Sequence, residues 1–243
     1  MLTTADAREQ MIEQQVRAWD VLDERVLGIF RKVPRDHFVP AQHRYLAYAD
    51  LEVPLPQGQH ILRPSVAGRL LQALALTGTE RVLEIGAGSG FLTACLAAVS
   101  AHVESIEVFP ELAELAKSNL ATLSIGNTRI VTGDALATPA PVGDSLPAGD
   151  SLADRSVVAN RSVADARTRY GAIAVTGSVP TADERFQRQL EIGGRLFIIV
   201  GEAPVMTARL VRRTAEDAWT SESLFETVVD PLINARRPPE FTF

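Results

Sequence analysis

Cysteine is almost missing from this chain: 243 residues contain one, Cys95. A single thiol excludes an internal disulfide framework and a cysteine-rich zinc site, and no metal site is expected. Cys95 lies in an apolar, alanine-rich stretch and reads as a small core residue. Positive charge is also short. Lys and Arg total 24 against 30 Asp and Glu, a formal charge of −6. That argues against a nucleic-acid binder working through a broad positive field. No apolar run reaches about 18 residues, so no membrane span is expected. The polar stretch 1–10 lacks the apolar centre of a secretory signal. These absences predict a cytoplasmic protein with no nucleic-acid or membrane partner, a monomer or weak dimer.

What is present is concentrated in RVLEIGAGSG, Arg81 to Gly90. A short apolar run feeds into Gly86, Gly88 and Gly90, and an apolar segment, Phe91 to Val99, follows. The order is strand, glycine turn, helix. Glycines let the backbone turn tightly and approach a ligand with no Cβ between. The next helix aims its free N–H groups at the same place. A second strand ends in Glu107, 21 residues after Gly86. An acid at about that distance suits the two hydroxyls of a ribose. Ile130 to Ala135 reads as a third strand ending in Asp134, placed to reach an adenine edge.

Two observations choose between nucleoside cofactors. The dinucleotide fingerprint wants glycine at its first, third and sixth positions; here these are Gly86, Gly88 and Phe91. The loop carries no cation for a pyrophosphate, and Glu84 stands just before it. A carboxylate there suits the ammonium and sulfonium of S-adenosylmethionine. The predicted cofactor residues are Glu84, Gly86, Ala87, Gly88, Gly90, Glu107, Asp134 and Ala135.

Along the chain, residues 4–19 and 21–33 pattern as amphipathic helices, the second stopped by Pro34. Residues 38–59 read as loops and short extended pieces, and Pro64 opens a helix. Strands at 81–86, 103–107, 128–133, 171–176 and 195–201 alternate with helices at 90–99, 110–123 and 181–191. Alternation of this kind predicts an α/β, mostly parallel, doubly wound sheet. Strands at Thr207 to Arg213 and Leu224 to Asp230 predict an antiparallel hairpin at its C-terminal edge. Phe241 and Phe243 are expected to cover that edge. The division expected is a helical and loop extension, 1–64, contributing to an acceptor site, and a Rossmann-like core, 65–243. A low-complexity insert occupies 139–168. Within it Gly-Asp-Ser-Leu at 143–146 recurs at 149–152, and Arg-Ser-Val at 155–157 recurs at 161–163. Connections usually run about 2–6 residues; this one reads as a mobile, dispensable loop.

Several strings, in order, resemble the protein-L-isoaspartate (D-aspartate) O-methyltransferase family. They are Met11 to Val16, Val33-Pro34-Arg35 with Phe38-Val39-Pro40, Ala47 to Asp50, and Pro54-Leu55 with Gly58-Gln59. Val82 to Gly86, Ser105-Ile106-Glu107, Gly133-Asp134, Val175-Thr176, Gly193-Gly194 and Val200-Gly201 continue the series. The resemblance implies an S-adenosylmethionine-dependent methyltransferase fold. It also implies methylation of the free α-carboxylate of an isoaspartyl residue, whose ester cyclises to a succinimide and hydrolyses partly to normal aspartate.

The match breaks in the acceptor segment. The family's usual Gly-Gln-Thr-Ile-Ser-x-Pro reads Gly58-Gln59-His60-Ile61-Leu62-Arg63-Pro64 here. Leu62 stands where the resemblance puts a catalytic serine. Arg63 can grip a carboxylate with two parallel bonds, and His60 can orient or deprotonate a different nucleophile, such as a hydroxyl or amine. His60, Leu62 and Arg63 are therefore the candidate catalytic positions. Ile61, Pro64, Thr176, Gly177 and Ser178 are the candidate substrate contacts. The leading acceptor is a peptide or protein carboxylate. The alternatives are another carboxylate or a small molecule, a cofactor-binding protein with little catalysis, and, behind these, an NAD-dependent enzyme.

Overall fold

The structure, a computed structural model, describes residues 3–137 and 168–235. The tandem repeats at 142–165 and the tail residues Phe241 and Phe243 lie outside the described residues.

The N-terminal segment is helical. In α1 (Thr4–Met11), the Thr3 hydroxyl accepts from Asp6 N while the Asp6 carboxylate accepts from Thr3 N. This reciprocal cap satisfies two otherwise free donors. The helix predicted to run unbroken to residue 19 instead loosens into a π turn at Ile12–Val16 and a 3-10 turn at Arg17–Trp19. Met11, Ile12 and Val16 all bury there. α2 (Glu24–Lys32) buries Val26, Leu27, Ile29 and Phe30 and stops just before Pro34. The short α3 (Arg35–Phe38) leads through a 3-10 turn to a small antiparallel pair, β1 (Val53–Pro54) and β2 (His60–Ile61). α4 (Pro64–Leu74) opens on Pro64, whose missing N–H costs nothing in a first turn.

The remaining elements are β3 (Arg81–Ile85), α5 (Phe91–Ala97), β4 (His102–Glu107), α6 (Pro110–Thr122) and β5 (Thr128–Thr132). After the insert come β6 (Tyr170–Val179), α7 (Glu184–Arg188), β7 (Leu190–Glu202), β8 (Val205–Ala215) and β9 (Ala218–Thr227). The main sheet runs β5-β4-β3-β6-β7-β8-β9. The first five strands are parallel and the last two antiparallel. This is the expected Rossmann-like, doubly wound α/β sheet with an antiparallel C-terminal edge. Side chains alternate between its faces, as period two requires. Val82, Val103, Ala172 and Phe197 join the core that also holds α2 and α4. Leu83, Ile106, Ile173 and Leu196 face the other way, with Phe186 of α7.

Two predicted boundaries are corrected. The helix expected over 181–191 is five residues long, because only Phe186 in it buries and the chain from Leu190 is taken into β7. The last strand, expected over Leu224 to Asp230, lies at Ala218–Thr227. Its polar first half, Thr220 to Glu222, carries no strand-like apolar alternation, yet backbone pairing to β8 holds it. The chain then leaves the sheet edge. Ser178 N donates to Asp230 O at 2.9 Å and Leu232 N donates to Ser178 O at 2.8 Å. The segment after β9 is thereby sewn to the end of β6.

Leu70 of α4 is completely buried against this core. Leu70→Ala should lower stability by about 2–5 kcal/mol, read as an earlier denaturant midpoint with an unchanged slope.

Candidate active site

The order of strands reverses between β3 and β6: the chain builds outward from β3 through β4 to β5, then returns beside β3 as β6. Sheets of this kind hold ligands outside the carboxyl ends of the strands at that reversal. A cavity lies there. Its floor comes from Gly86, Ala87, Gly88 and Ser89 after β3, with Glu107 at the end of β4. Gly133, Asp134, Ala135 and Leu136 follow β5, and Thr176 and Gly177 belong to β6. Its other wall is Glu52, Leu55 and Gln59 to Leu62 from the hairpin region, with Val229 to Ile233 after β9.

The floor is built by steric necessity. Gly86 (φ +92°) and Gly90 (φ +87°) hold a left-handed backbone that favours glycine. A Cβ on Gly86 would run into Thr176 Oγ1, and one on Gly90 would sit 3.2 Å from Ala116 Cα. Thr176 lies in an irregular stretch of β6, and its hydroxyl donates to Ile85 O at 2.8 Å. Glu107 closes the turn from the other side. Its carboxylate accepts from Gly88 N at 2.9 Å and from Phe109 N at 3.0 Å. Asp134 accepts from Leu136 N at 2.7 Å and from Asn234 Nδ2 at 2.9 Å.

Most predicted site residues are brought together. His60, Ile61, Leu62, Gly86, Ala87, Gly88, Glu107, Asp134, Ala135, Thr176 and Gly177 all line the cavity. Five do not. Gly90 packs under the loop against α6, and Pro64 is buried at the start of α4. Arg63 stands at the N-cap position of α4 without a side-chain capping bond, and Ser178 pins the segment after β9. Glu84 is the sharpest departure: it points away from the cavity and is wholly buried, accepting from Thr93 Oγ1 at 2.5 Å. Burial, helped by the Glu107 charge and opposed by the Ser105 and Thr93 hydroxyls, raises its carboxyl to about 8. Such a group is mostly neutral at pH 7, so it supplies no counter-charge to a bound cation.

Three contributors escaped the sequence. Asp230 binds the His60 imidazole, Nδ1 to Oδ2 at 3.0 Å. No local pattern marks it, because it reaches the site only through the Ser178 stitches. Ser89 lines the cavity with a buried hydroxyl that has no partner; its place inside the glycine turn was the available signal. Arg35 is fully buried and donates from Nη2 to Leu62 O at 2.8 Å. Its guanidinium stands 4.7 Å from the centre of the Phe91 ring. Burial pulls it down to about 10, so it stays a cation at neutral pH. It props the segment around Leu62 from below.

The sequence model described as protein-L-isoaspartate(D-aspartate) O-methyltransferase (PCMT) matches residues 6–140. Protein-L-isoaspartate O-methyltransferase 1 of Rhodopseudomonas palustris is 38% identical over 231 residues, 94% of this chain and 84% of that protein. The chain belongs to this family. A second member, protein-L-isoaspartate O-methyltransferase 2 of Pelobacter propionicus, is 34% identical over 230 residues, covering 94% of this chain and 91% of its own. Among solved structures, the beta-aspartate methyltransferase (PCMT) of Plasmodium falciparum in complex with S-adenosyl-L-homocysteine has the same fold. Its TM-score is 0.70 at 19% identity, covering 93% of this chain and 97% of that one.

In this family member the Glu84 proton has a measurable consequence. With the carboxyl raised from 4.5 to about 8, the folded state holds a proton over that window that the unfolded state has released. Stability therefore falls as pH rises through the window and levels off above it. Glu84→Gln should match the parent near pH 5 and exceed it near pH 8 in denaturant midpoint. An equal gap at both pH values would show that Glu84 does not titrate there.

Proposed function

We propose that the chain holds S-adenosylmethionine in this cavity and methylates the free α-carboxylate of isoaspartyl residues in damaged proteins. One observation carries the cofactor assignment. The described lining contains four carboxylates, Glu52, Glu107, Asp134 and Asp230, and neither lysine nor arginine. A ligand bearing a sulfonium and an ammonium is attracted to such a lining, whereas a pyrophosphate is repelled. That disfavours a dinucleotide, in line with the missing sixth glycine. The orphaned Ser89 hydroxyl, buried and facing the cavity, also asks for a polar ligand.

Glu107 is the residue for the ribose hydroxyls and Asp134 for the adenine edge, with the Gly86 to Ser89 turn under the amino-acid portion. Bound there, S-adenosylmethionine supplies an electrophilic methyl group on sulfur. The acceptor side is formed by His60, Ile61, Leu62, Thr176 and Gly177. A carboxylate with pKa near ~4 is already ionised at neutral pH, so the chain needs no base for this acceptor. Its contribution is alignment, and effective molarity of this kind is worth roughly 7–11 kcal/mol. Leu62 in place of serine removes one positioning hydrogen bond and leaves the reaction type possible. Family membership and the acid-lined cavity support this reading, together with a protein-repair role in the cytoplasm and a peptide or protein substrate.

Calorimetric titration should find S-adenosylmethionine binding and no binding of NAD; tight NAD binding alone would overturn the assignment. Labelled cofactor, quenched in acid to preserve the ester, should methylate an isoaspartyl peptide above its aspartyl control. Glu107→Ala should weaken cofactor binding at least about tenfold, or ~1.4 kcal/mol, because it removes the ribose acceptor and frees the Gly88 turn.

A further inference from the structure

A carboxylate acceptor meets a problem in this cavity. The described lining carries four acids and one group able to become a cation, His60. Arg63 lies outside the lining, although its charge reaches Glu52. The serine position is Leu62, which donates nothing. An incoming acceptor carboxylate therefore meets Glu52 and Asp230 with no fixed cation to receive it, and the Thr176 hydroxyl already donates to Ile85 O.

The geometry points to His60 as the positioning residue for the acceptor carboxylate, with Asp230 orienting its ring. This rests on the carboxyl-methylation reading above. Asp230 takes the Nδ1 side of the ring at 3.0 and 3.2 Å from its two oxygens. That leaves Nε2, among the described residues, as the free edge of an exposed ring. A neutral ring, protonated at Nδ1 toward Asp230, offers only a lone pair at Nε2, which repels a carboxylate. A doubly protonated ring donates from Nδ1 to Asp230 and from Nε2 to the acceptor. His60 keeps both protons throughout, because the acceptor arrives already ionised and no base is called for.

Asp230 from the segment after β9 and Glu52 from the loop before β1, both acids, stand by His60, and Arg63 lies three residues on. Burial raises the Glu52 carboxyl above its ordinary value, so its repulsion of an acceptor weakens as pH falls, in the same direction. Asp230 is not a loose arm. Its own carbonyl accepts from Ser178 N, and the following Leu232 N donates back to Ser178 O. The backbone at Asp230 is thus held independently of His60, so loss of the imidazole leaves the stitching in place.

The decisive measurement is binding of an isoaspartyl peptide, against its aspartyl control, to the full chain saturated with S-adenosylhomocysteine. Binding should tighten as pH falls from about 8 to about 6, the range in which histidine gains its proton. His60→Gln should bind about tenfold more weakly near pH 6 and lose most of the pH dependence. Affinity for S-adenosylhomocysteine, measured in parallel, reports that the variant is folded. Unchanged peptide affinity in folded His60→Gln, or wild-type binding that strengthens as pH rises, overturns the proposal. Turnover by the wild type is read separately. Pronounced His60-dependent binding without methyl transfer would remove the repair reading and leave this contact standing. Methyl transfer with His60-independent binding would do the reverse.

Discussion

The turn after β3 is the constraint on which the site depends. The chain must pass from a buried strand into α5 in the narrow space between Thr176 of β6 and Ala116 of α6. There is no room for a Cβ at either Gly86 or Gly90. The carboxylate of Glu107 then fastens the middle of the turn through Gly88 N. One side chain thus shapes the loop and presents its remaining lone pairs to the cavity. A substitution at Gly86, Gly90 or Glu107 acts on the loop and on the ligand together.

Charge is distributed on two levels around that turn. Four carboxylates line the cavity, where solvent and ligand can compensate them. Glu84 lies beneath, uncompensated, and is held neutral by burial. Arg35 is its counterpart on the acceptor side, a buried cation stacked on Phe91 and bonded to the carbonyl of Leu62. A buried guanidinium with two unpartnered nitrogens is costly to desolvate. What it secures here is the path of the acceptor segment across the cavity mouth.

The order of strands and helices through β7 was legible because short apolar stretches, such as Val82-Leu83 and Ala172 to Val175, alternate with longer helical segments. Where burial is thin the pattern fades. α7 has one buried side chain, Phe186, so the polar residues around it read as a longer helix than forms. β9 is an edge strand whose register comes from backbone pairing to β8, and its polar first half falls outside the strand expected from Leu224. The candidate site follows the same rule. Glycines and acids at strand ends were visible in sequence because one local turn and two strand ends place them. Asp230 was not, since nothing near it in sequence says that Ser178 will capture that segment.

The sequence by itself determined the α/β alternation, the cofactor turn, the acids at the ends of β4 and β5, and the family. These depend on contacts between residues close in the chain or on patterns that any buried sheet imposes. Only the tertiary structure decided that Glu84 points into the core while Glu107 faces the cavity. Side chains one strand apart differ in environment according to which face their neighbours cover. Tertiary structure alone also paired His60 with Asp230 across 170 residues of sequence. That pairing depends on where the segment after β9 lands on β6, a choice made by packing and two backbone hydrogen bonds that no local residue preference encodes.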